Sequence, residues 1–600
     1  MPTLLHRLDA WERSSPSSIA QRYKAGNQWH SITVRRYFDR ITHICAYLKE
    51  RGFVKGDVGC IVAPNSPQWV QADLGVLLAS GLSAGLSSRA GKEESFAVLE
   101  NAKPKVLFLE NEIVFERLRE HFEVLGYPEI LVSFEGKGDF HKNGVSFEDV
   151  LSRGSRLLVK SETKVRDQKN EWLEEISPGE GAFLIYTSGT TGSPKGALLS
   201  HANMCFAADC AISRWKLGLG GELYSFLPLS HVAERVQCVA VATSIRGPVS
   251  FASRIENVNR ELPEVEPTLL LCVPRVWEKL KETVEIEIER LPRPVKMALE
   301  ESFSICEQYF RRKKRFGTVS PLLKAKFLVA DSVVSMVRKK MGLRRVEVCA
   351  SGAAGISLSV LKWFQKIGVC IEETYGQTES CGILSMTVPD KDMMGTVGVP
   401  VKGVDVKIAE DGEIWARGPN IFLGYFHDEQ TTKEILSEGW LKTGDRGRFD
   451  KKGRLLIEGR KKDFIKTSGG KMISPMLIEK KLRSHPSLLD ACVVGEGRKY
   501  LVALFTLNED VLQELKRKRN FVKFENSWIE DPQLIDPLIE FVGQVNEDFA
   551  RSDQIKAFRV LSQPFDIQSG ELTSSMKIKR QTIEKNYRSL IDQMYRGVEG

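Results

Sequence analysis

Apolar residues in this chain recur in two rhythms, and the places where the rhythm changes mark its parts. Val58 to Val62 is a continuous apolar run of strand length. Ser66 follows as an N-cap, Pro67 takes the first helical position, and a helix is predicted through about Leu78. Val106-Leu107-Phe108-Leu109 and Ile130-Leu131-Val132 carry the strand–helix alternation onward, which predicts an α/β fold around a mostly parallel sheet covered on both faces. Ala182-Phe183-Leu184-Ile185 and Ala197-Leu198-Leu199 read as two buried strands flanking a polar loop. The rhythm returns with strands at Leu269 to Val273 and Val346 to Ala350. Between about Val276 and Leu343 the pattern is helical with no strand signal. From about Gly398 it changes to short β runs punctuated by glycine (Val404 to Ile408, Gly412 to Trp415, Leu455 to Ile457), a β-rich subdomain. Past Arg460 a small α+β segment is predicted, with a helix over Pro475 to Arg483 and strands at Ala491 to Val494 and Leu501 to Thr506.

Composition narrows the class. Six hundred residues exceed one ordinary core, and 42% hydrophobic with 27% charged residues describes a soluble globular chain. No apolar run is long enough to span a bilayer, and MPTLLHRLDAWERSS lacks the apolar core of a signal peptide. The 11 cysteines include no C-x-x-C pair. Cys60, Cys238, Cys349 and Cys370 lie in apolar runs, as reduced core residues of a cytoplasmic protein would. The net charge of +8 suits nucleotide, coenzyme A or lipid headgroups and is no argument for nucleic acid as a partner.

The polar loop between the two strands carries most of the chemistry. Tyr186 to Ala197 read YTSGTTGSPKGA, with hydroxyls at Thr187, Ser188, Thr190, Thr191 and Ser193, glycines at 189, 192 and 196, and Lys195. Glycine lets backbone N–H groups approach an anion, hydroxyls donate further hydrogen bonds, and lysine adds a mobile charge, so the loop reads as a phosphate clamp. A Walker A loop would place its lysine before Ser or Thr at the start of a helix, and here Gly196 follows the lysine. Three further blocks stand downstream: TYGQTE at Thr374 to Glu379, GWLKTGD at Gly439 to Asp445, and GRKKD at Gly459 to Asp463 running into SGGK at Ser468 to Lys471.

In order and spacing these four blocks resemble the signature motifs of the adenylate-forming (AMP-binding) superfamily, over most of residues 30 to 580. LPLSHVAER at Leu227 to Arg235 and VPRVWEK at Val273 to Lys279, ahead of a helical insertion, resemble its long-chain acyl-CoA synthetases. The resemblance implies two mostly parallel doubly wound sheets and the β-rich subdomain in a large lobe over residues 1–459. A hinged α+β lobe over 460–600 completes the acetyl-CoA synthetase-like fold. It assigns nucleotide contacts to Thr187, Ser188, Gly189, Thr190, Thr191, Gly192 and Lys195. Tyr375 would stack on the adenine against a wall of Gly352, Ala353 and Ala354, beside Gly376 and Gln377, and Thr378 would donate to the α-phosphate. Asp445 and Arg460 would hold the ribose. Thr187 and Glu379 would hold Mg²⁺, and His231 would sit beside the substrate carboxylate. Lys462 matches the hinge, Ser468, Gly469 and Gly470 the loop facing coenzyme A, and Lys577 the adenylation lysine. The block around Lys577, ELTSSMKIKR, departs from the family pattern at Ser574, where proline is usual.

The implied activity joins a long-chain fatty acid to coenzyme A at the expense of ATP. A fatty acyl-AMP ligase, an acyl–carrier-protein synthetase or a non-catalytic membrane-associated scaffold are the alternatives. Arg311 to Arg315 and Arg338 to Lys340, beside Tyr309, Phe310 and Phe316, suit either an anionic membrane surface or a solvated helix face.

Overall fold

The structure, a computed structural model, describes residues 2–158, 162–187, 194–388, 393–517, 523–525, 528–566, 569–573 and 577–598. It divides into two compact units. One takes Met1–Lys407, Trp415–Lys442 and Gly453–Leu455, and the other takes Ile408–Ile414, Thr443–Lys452 and Leu456–Gly600. The division falls inside strands Asp405–Ile408, Glu413–Arg417 and Trp440–Phe449, so the β-rich stretch expected after Gly398 is shared between the units.

The first unit contains two large sheets. The eight-stranded sheet is parallel through Val58–Val62, Leu82–Leu86, Val106–Leu109 and Ile130–Ser133, with Gly181–Thr187 parallel to Leu82–Leu86. All five residues of Val58–Val62 are buried, as a two-faced strand requires. The following helix is Pro67–Leu78, and the Ser66 hydroxyl accepts from the Trp69 N–H, a cap worth about 1 kcal/mol. The nine-stranded sheet runs Ile371–Tyr375, Val348–Ser351, Leu269–Cys272, Leu223–Ser225 and Val249–Phe251 in spatial order, all parallel. It ends on an N-terminal hairpin, Ile19–Ala25 with Gln28–Thr33.

One apolar core fills the space between the sheets. It joins Ile61, Phe108 and Phe183 of one sheet to Leu223 and Val249 of the other through helices Leu4–Ser14, Val34–Glu50 and His201–Trp215. Two further cores cover the outer faces, giving five alternating layers. The predicted helical stretch consists of Pro274–Glu289, Arg293–Phe316 and Pro321–Lys340. Trp277 is fully buried in the core that this stretch shares with Phe364.

In the second unit, strands Leu488–Val494, Leu501–Leu507 and Ile555–Leu561 are neighbours in a five-stranded sheet, with Leu488–Val494 at one edge and Ile555–Leu561 in the middle. Helices Pro475–Leu482 and Pro532–Glu547 cover one face, and Arg580–Asn586 and Arg588–Val598 the other.

Candidate active site

In the nine-stranded sheet, four neighbouring parallel strands send their carboxyl-terminal loops the same way, where α/β sheets bind ligands. Leu223–Ser225 leads to His231, Leu269–Cys272 to Arg275, Val348–Ser351 to Gly352-Ala353-Ala354, and Ile371–Tyr375 to Gly376 through Glu379. Gly352 lies so close to the last of these strands that a Cβ would meet Thr374 Cγ2 at 2.9 Å, and Ala353 takes a left-handed φ of 67°. Tyr375 is the last strand residue, half-buried and paired with Ser385. Gly376 is needed sterically: a Cβ there would come within 2.2 Å of the Gly382 backbone. Gln377 then starts a 3₁₀ turn over Thr378–Ser380, its N–H donating to Ser380 Oγ at 3.0 Å.

The hairpin flanking the predicted phosphate clamp belongs to the eight-stranded sheet. Gly181–Thr187 and Lys195–Ser200 pair antiparallel, with Thr187 opposite Lys195, as the flanking apolar runs predicted. Ser188, Gly189, Thr190, Thr191 and Gly192 lie outside the described residues. Lys195 donates to Thr431 Oγ1 at 2.9 Å and stands 3.5 Å from Asp428 Oδ2. Its Nζ also lies 5.5 Å from the centre of the Tyr425 ring. Hydrogen bonds from Thr431, with Lys195 behind them, hold the Asp428 carboxyl below its ordinary pKa.

Tyr425 joins the two sheets' contributions. It pairs with Ala197 through the short strand Gly424–Tyr425, and its hydroxyl donates to Glu379 Oε1 at 2.5 Å. Thr187, Lys195, Tyr425 and Glu379 are therefore linked through direct contacts and strand pairing. Tyr425, Asp428 and Thr431 were missed from the sequence, because a lone G-Y pair ahead of Asp and Thr carries no spacing signal.

His231 caps the short helix Val232–Arg235, its ring nitrogen accepting from the Ala233 N–H at 3.3 Å. The loop before it is held by Asn65, which donates to the Leu227 carbonyl at 2.6 Å and accepts from the Leu229 N–H at 3.0 Å. The charged pair that follows is entirely buried. Arg235 reaches Asp73 Oδ1 at 2.8 Å and Ser83 Oγ at 3.1 Å, between the rings of Trp69 and Phe183. Burial raises the Asp73 pKa and lowers that of Arg235, so desolvation outweighs their attraction at both ends. Through Oε1, Glu234 accepts from Ser225 Oγ at 2.7 Å, the Phe226 N–H at 3.1 Å and Cys238 Sγ at 3.3 Å, while Oε2 has no hydrogen-bond partner among the described residues. Burial pushes its pKa up to about 7. The backbone then widens into a π-helix over Val236–Val241, all six residues buried.

The second unit brings Asp445 and Arg460 together, Nε to Oδ1 at 3.0 Å, with Arg460 also donating to the Thr443 carbonyl at 3.3 Å. Glu413 accepts from the Gly444 N–H at 2.8 Å and from Lys461 at 3.1 Å. Lys462 is exposed in the 3₁₀ turn Lys461–Asp463. Ser468-Gly469-Gly470 form an exposed turn between strands Ile465–Lys466 and Met472–Ile473. The Thr573 N–H donates to the Lys577 carbonyl at 2.8 Å. The Lys577 N–H in turn donates to Thr573 Oγ1 at 3.0 Å. Ser574, the departure from the family pattern, lies outside the described residues. Arg580, three residues on, is anchored on Glu479 at 2.7 Å.

Residues 8–426 match the AMP-binding enzyme family, and residues 462–599 match the AMP-binding enzyme C-terminal domain. The chain belongs to the AMP-binding enzyme family. Among relatives within it, the long-chain-fatty-acid–CoA ligase FadD15 of Mycobacterium bovis is 29% identical over 97% of this chain and 95% of its own length. The long-chain-fatty-acid–CoA ligase ACSBG2 of Gallus gallus is 30% identical over 95% of this chain and 78% of its own. The fold is that of solved adenylate-forming enzymes. The adenylation domain of a carboxylate reductase from Mycobacterium chelonae superposes with a TM-score of 0.73 at 20% identity, covering 99% of this chain and 91% of that one. O-succinylbenzoate coenzyme A synthetase from Bacillus subtilis gives 0.69 at 20% identity, covering 97% and 98%.

Proposed function

We propose that this family member is a long-chain fatty acid–CoA ligase, which forms an acyl-adenylate from a fatty acid and ATP and passes the acyl group to coenzyme A, releasing pyrophosphate and AMP. The observation that carries this reading is identity of 26% to 30% over 95% to 97% of the chain with proteins named long-chain-fatty-acid–CoA ligases.

The chemistry follows from the carboxylate, a poor electrophile because its oxygen leaves badly. Attack of that oxygen on the α-phosphorus of ATP expels pyrophosphate and makes the oxygen part of AMP, a good leaving group, and a thiol then attacks the acyl carbon and displaces AMP. The first step brings two anions together, so its barrier falls when positive charge and N–H donors are already in place. We assign Lys195, Thr378 and the loop of Thr187 to Gly192 to the phosphates, and Lys577 to the charge developing between carboxylate and phosphate. Tyr375 with Gly352, Ala353, Ala354, Gly376 and Gln377 is assigned to the adenine, Asp445 and Arg460 to the ribose, and His231 to the fatty carboxylate. Lys462 is assigned to the hinge between the steps, and Ser468, Gly469 and Gly470 to coenzyme A.

The donor set suits magnesium. Among the described residues no three His, Cys, Asp or Glu side chains converge on a metal position. The carboxylate of Glu379 and the hydroxyl of Thr187 are hard oxygen donors of the kind that hold Mg²⁺ together with substrate phosphates. When bound, the ion would neutralise charge on the ATP phosphates. A cytoplasmic location is part of the proposal, supported by nine buried cysteines among the eleven. A peripheral contact with anionic membrane is a further part of the proposal.

Pyrophosphate release from ATP and a long-chain acid, followed with and without coenzyme A, tests the reading. Thioester is expected only with coenzyme A present. Pyrophosphate release without thioester, coenzyme A notwithstanding, would instead identify an acyl-AMP ligase or a synthetase serving another thiol.

A further inference from the structure

Helix Pro321–Lys340 is apolar on the side where a surface helix normally carries charge. Its buried positions, Ala330 and Val334, mark the side that faces the core. Leu322, Val329 and Met336 recur every seventh residue on the side turned away and are 70%, 71% and 65% exposed. Leu328 adds to the same outward surface at 64%. No described helix is long and apolar enough to cross a membrane, so this stripe is not part of a span.

Basic residues outnumber acids around the stripe, although Lys340 is paired with Glu287. Lys324, Lys326 and Lys339 make no ion pair among the described residues, and the single acid of the helix, Asp331, is taken by Arg338 at 2.8 Å. The preceding helix, Arg293–Phe316, ends in Arg311, Arg312, Lys313 and Arg315 beside Phe316, which is 64% exposed. Tyr309 and Phe310 differ from the sequence expectation. They pack onto Phe327, with Tyr309 stacked on it at 3.8 Å, so they help hold the two helices together and are only half-exposed.

We propose that the outward face of Pro321–Lys340, with the basic end of Arg293–Phe316, docks on an anionic lipid bilayer. Exposed aliphatic side chains flanked by lysines are what an interfacial helix presents: the apolar groups enter the acyl boundary and the long cationic stems reach back to the headgroups. A second copy of this chain would bring the same positive charge to the same face and be repelled. The inference deepens the proposed reading, since a long-chain fatty acid partitions into such a bilayer. Its test requires no catalysis.

Co-sedimentation of the full chain with phosphatidylcholine vesicles, with and without roughly 30 mol% phosphatidylglycerol, reads the interaction directly. The unmodified chain is expected to bind the anionic vesicles and to release them as salt is raised. Combined Leu322→Glu, Val329→Glu and Met336→Glu should weaken binding at least tenfold without changing the melting temperature, because all three side chains are exposed. Combined Lys324→Gln, Lys326→Gln and Lys339→Gln should weaken it severalfold and flatten the salt dependence. Binding by the triple-Glu variant equal to that of the unmodified chain would overturn the proposal. So would failure of the unmodified chain to bind either vesicle, or a solution dimer that the triple-Glu variant abolishes. Intact vesicle binding with no thioester formation would count against the ligase reading alone.

Discussion

Glu234 ties stability to pH in a way that can be worked through from its surroundings. Its side chain is fully buried, Oε1 is engaged by Ser225, Phe226 and Cys238, and Oε2 has no hydrogen-bond partner among the described residues. Burial raises its pKa from the ordinary 4.5 to about 7. A carboxyl whose pKa rises on folding supports the folded state fully below the lower value and loses that support as pH rises through the higher one. Integrating the linkage between about pH 5.5 and 8.5 gives a loss of about 2 kcal/mol from this one group. Glu234→Gln keeps an acceptor for Ser225 and Phe226 and removes the titration. Denaturant unfolding, followed in the transition of the first unit, should therefore show the variant gaining about 2 kcal/mol on the unmodified protein across that range. Its stability at the acidic end is not the test, because the unsatisfied amide N–H₂ costs the same at every pH. Two stability curves that run parallel would refute the reasoning, showing that the carboxylate finds compensation when ionised.

Further perturbations probe the buried ion pair and the assigned residues. Asp73→Ala leaves Arg235 buried without its partner and should cost about 3–5 kcal/mol, whereas Asp73→Leu with Arg235→Met should cost much less; a double-mutant cycle with additive penalties would contradict this. Tyr425→Phe removes the donor that orients Glu379 and should raise the Mg²⁺ needed for half-maximal pyrophosphate release about tenfold while leaving metal-free nucleotide binding unchanged; an unshifted Mg²⁺ dependence would count against that role. Lys577→Ala should slow pyrophosphate release by about 10²–10³ and still convert supplied acyl-adenylate and coenzyme A to thioester, while Lys462→Pro should do the reverse. Equal damage to both steps by Lys577→Ala would remove it from the first step alone.

Much of the fold was legible because local signals agree with the tertiary environment. The all-buried run Val58–Val62, the Ser66 cap and Pro67 occupy the predicted places, and the strands flanking the phosphate clamp pair as a hairpin. The N-terminal hairpin Ile19–Ala25 and Gln28–Thr33 was not legible: its exposed polar residues hide the strand period, and its pairing with Val249–Phe251 is a contact far along the chain. The π-helix over Val236–Val241 was hidden for a related reason, since a fully buried apolar run shows no face from which to read its period. At the site, the resemblance put Asp445 and Arg460 in one role, and the two are in contact. Tyr425 could not be placed in that way, because its link to Glu379 spans 46 residues and depends on a two-residue strand adding to the hairpin. Arg235 lies within a recognisable motif, yet its contacts are with Asp73 and Ser83, inside the core.

The proposed activity stands or falls on acyl chain length. The decisive measurement is kcat/KM for coenzyme A thioester formation with acetate and with a series of saturated acids up to palmitate. Each methylene buried on binding contributes about 0.8 kcal/mol, so acids of roughly 14–18 carbons should exceed acetate by several orders of magnitude. Equal efficiency with acetate and palmitate would contradict the assignment.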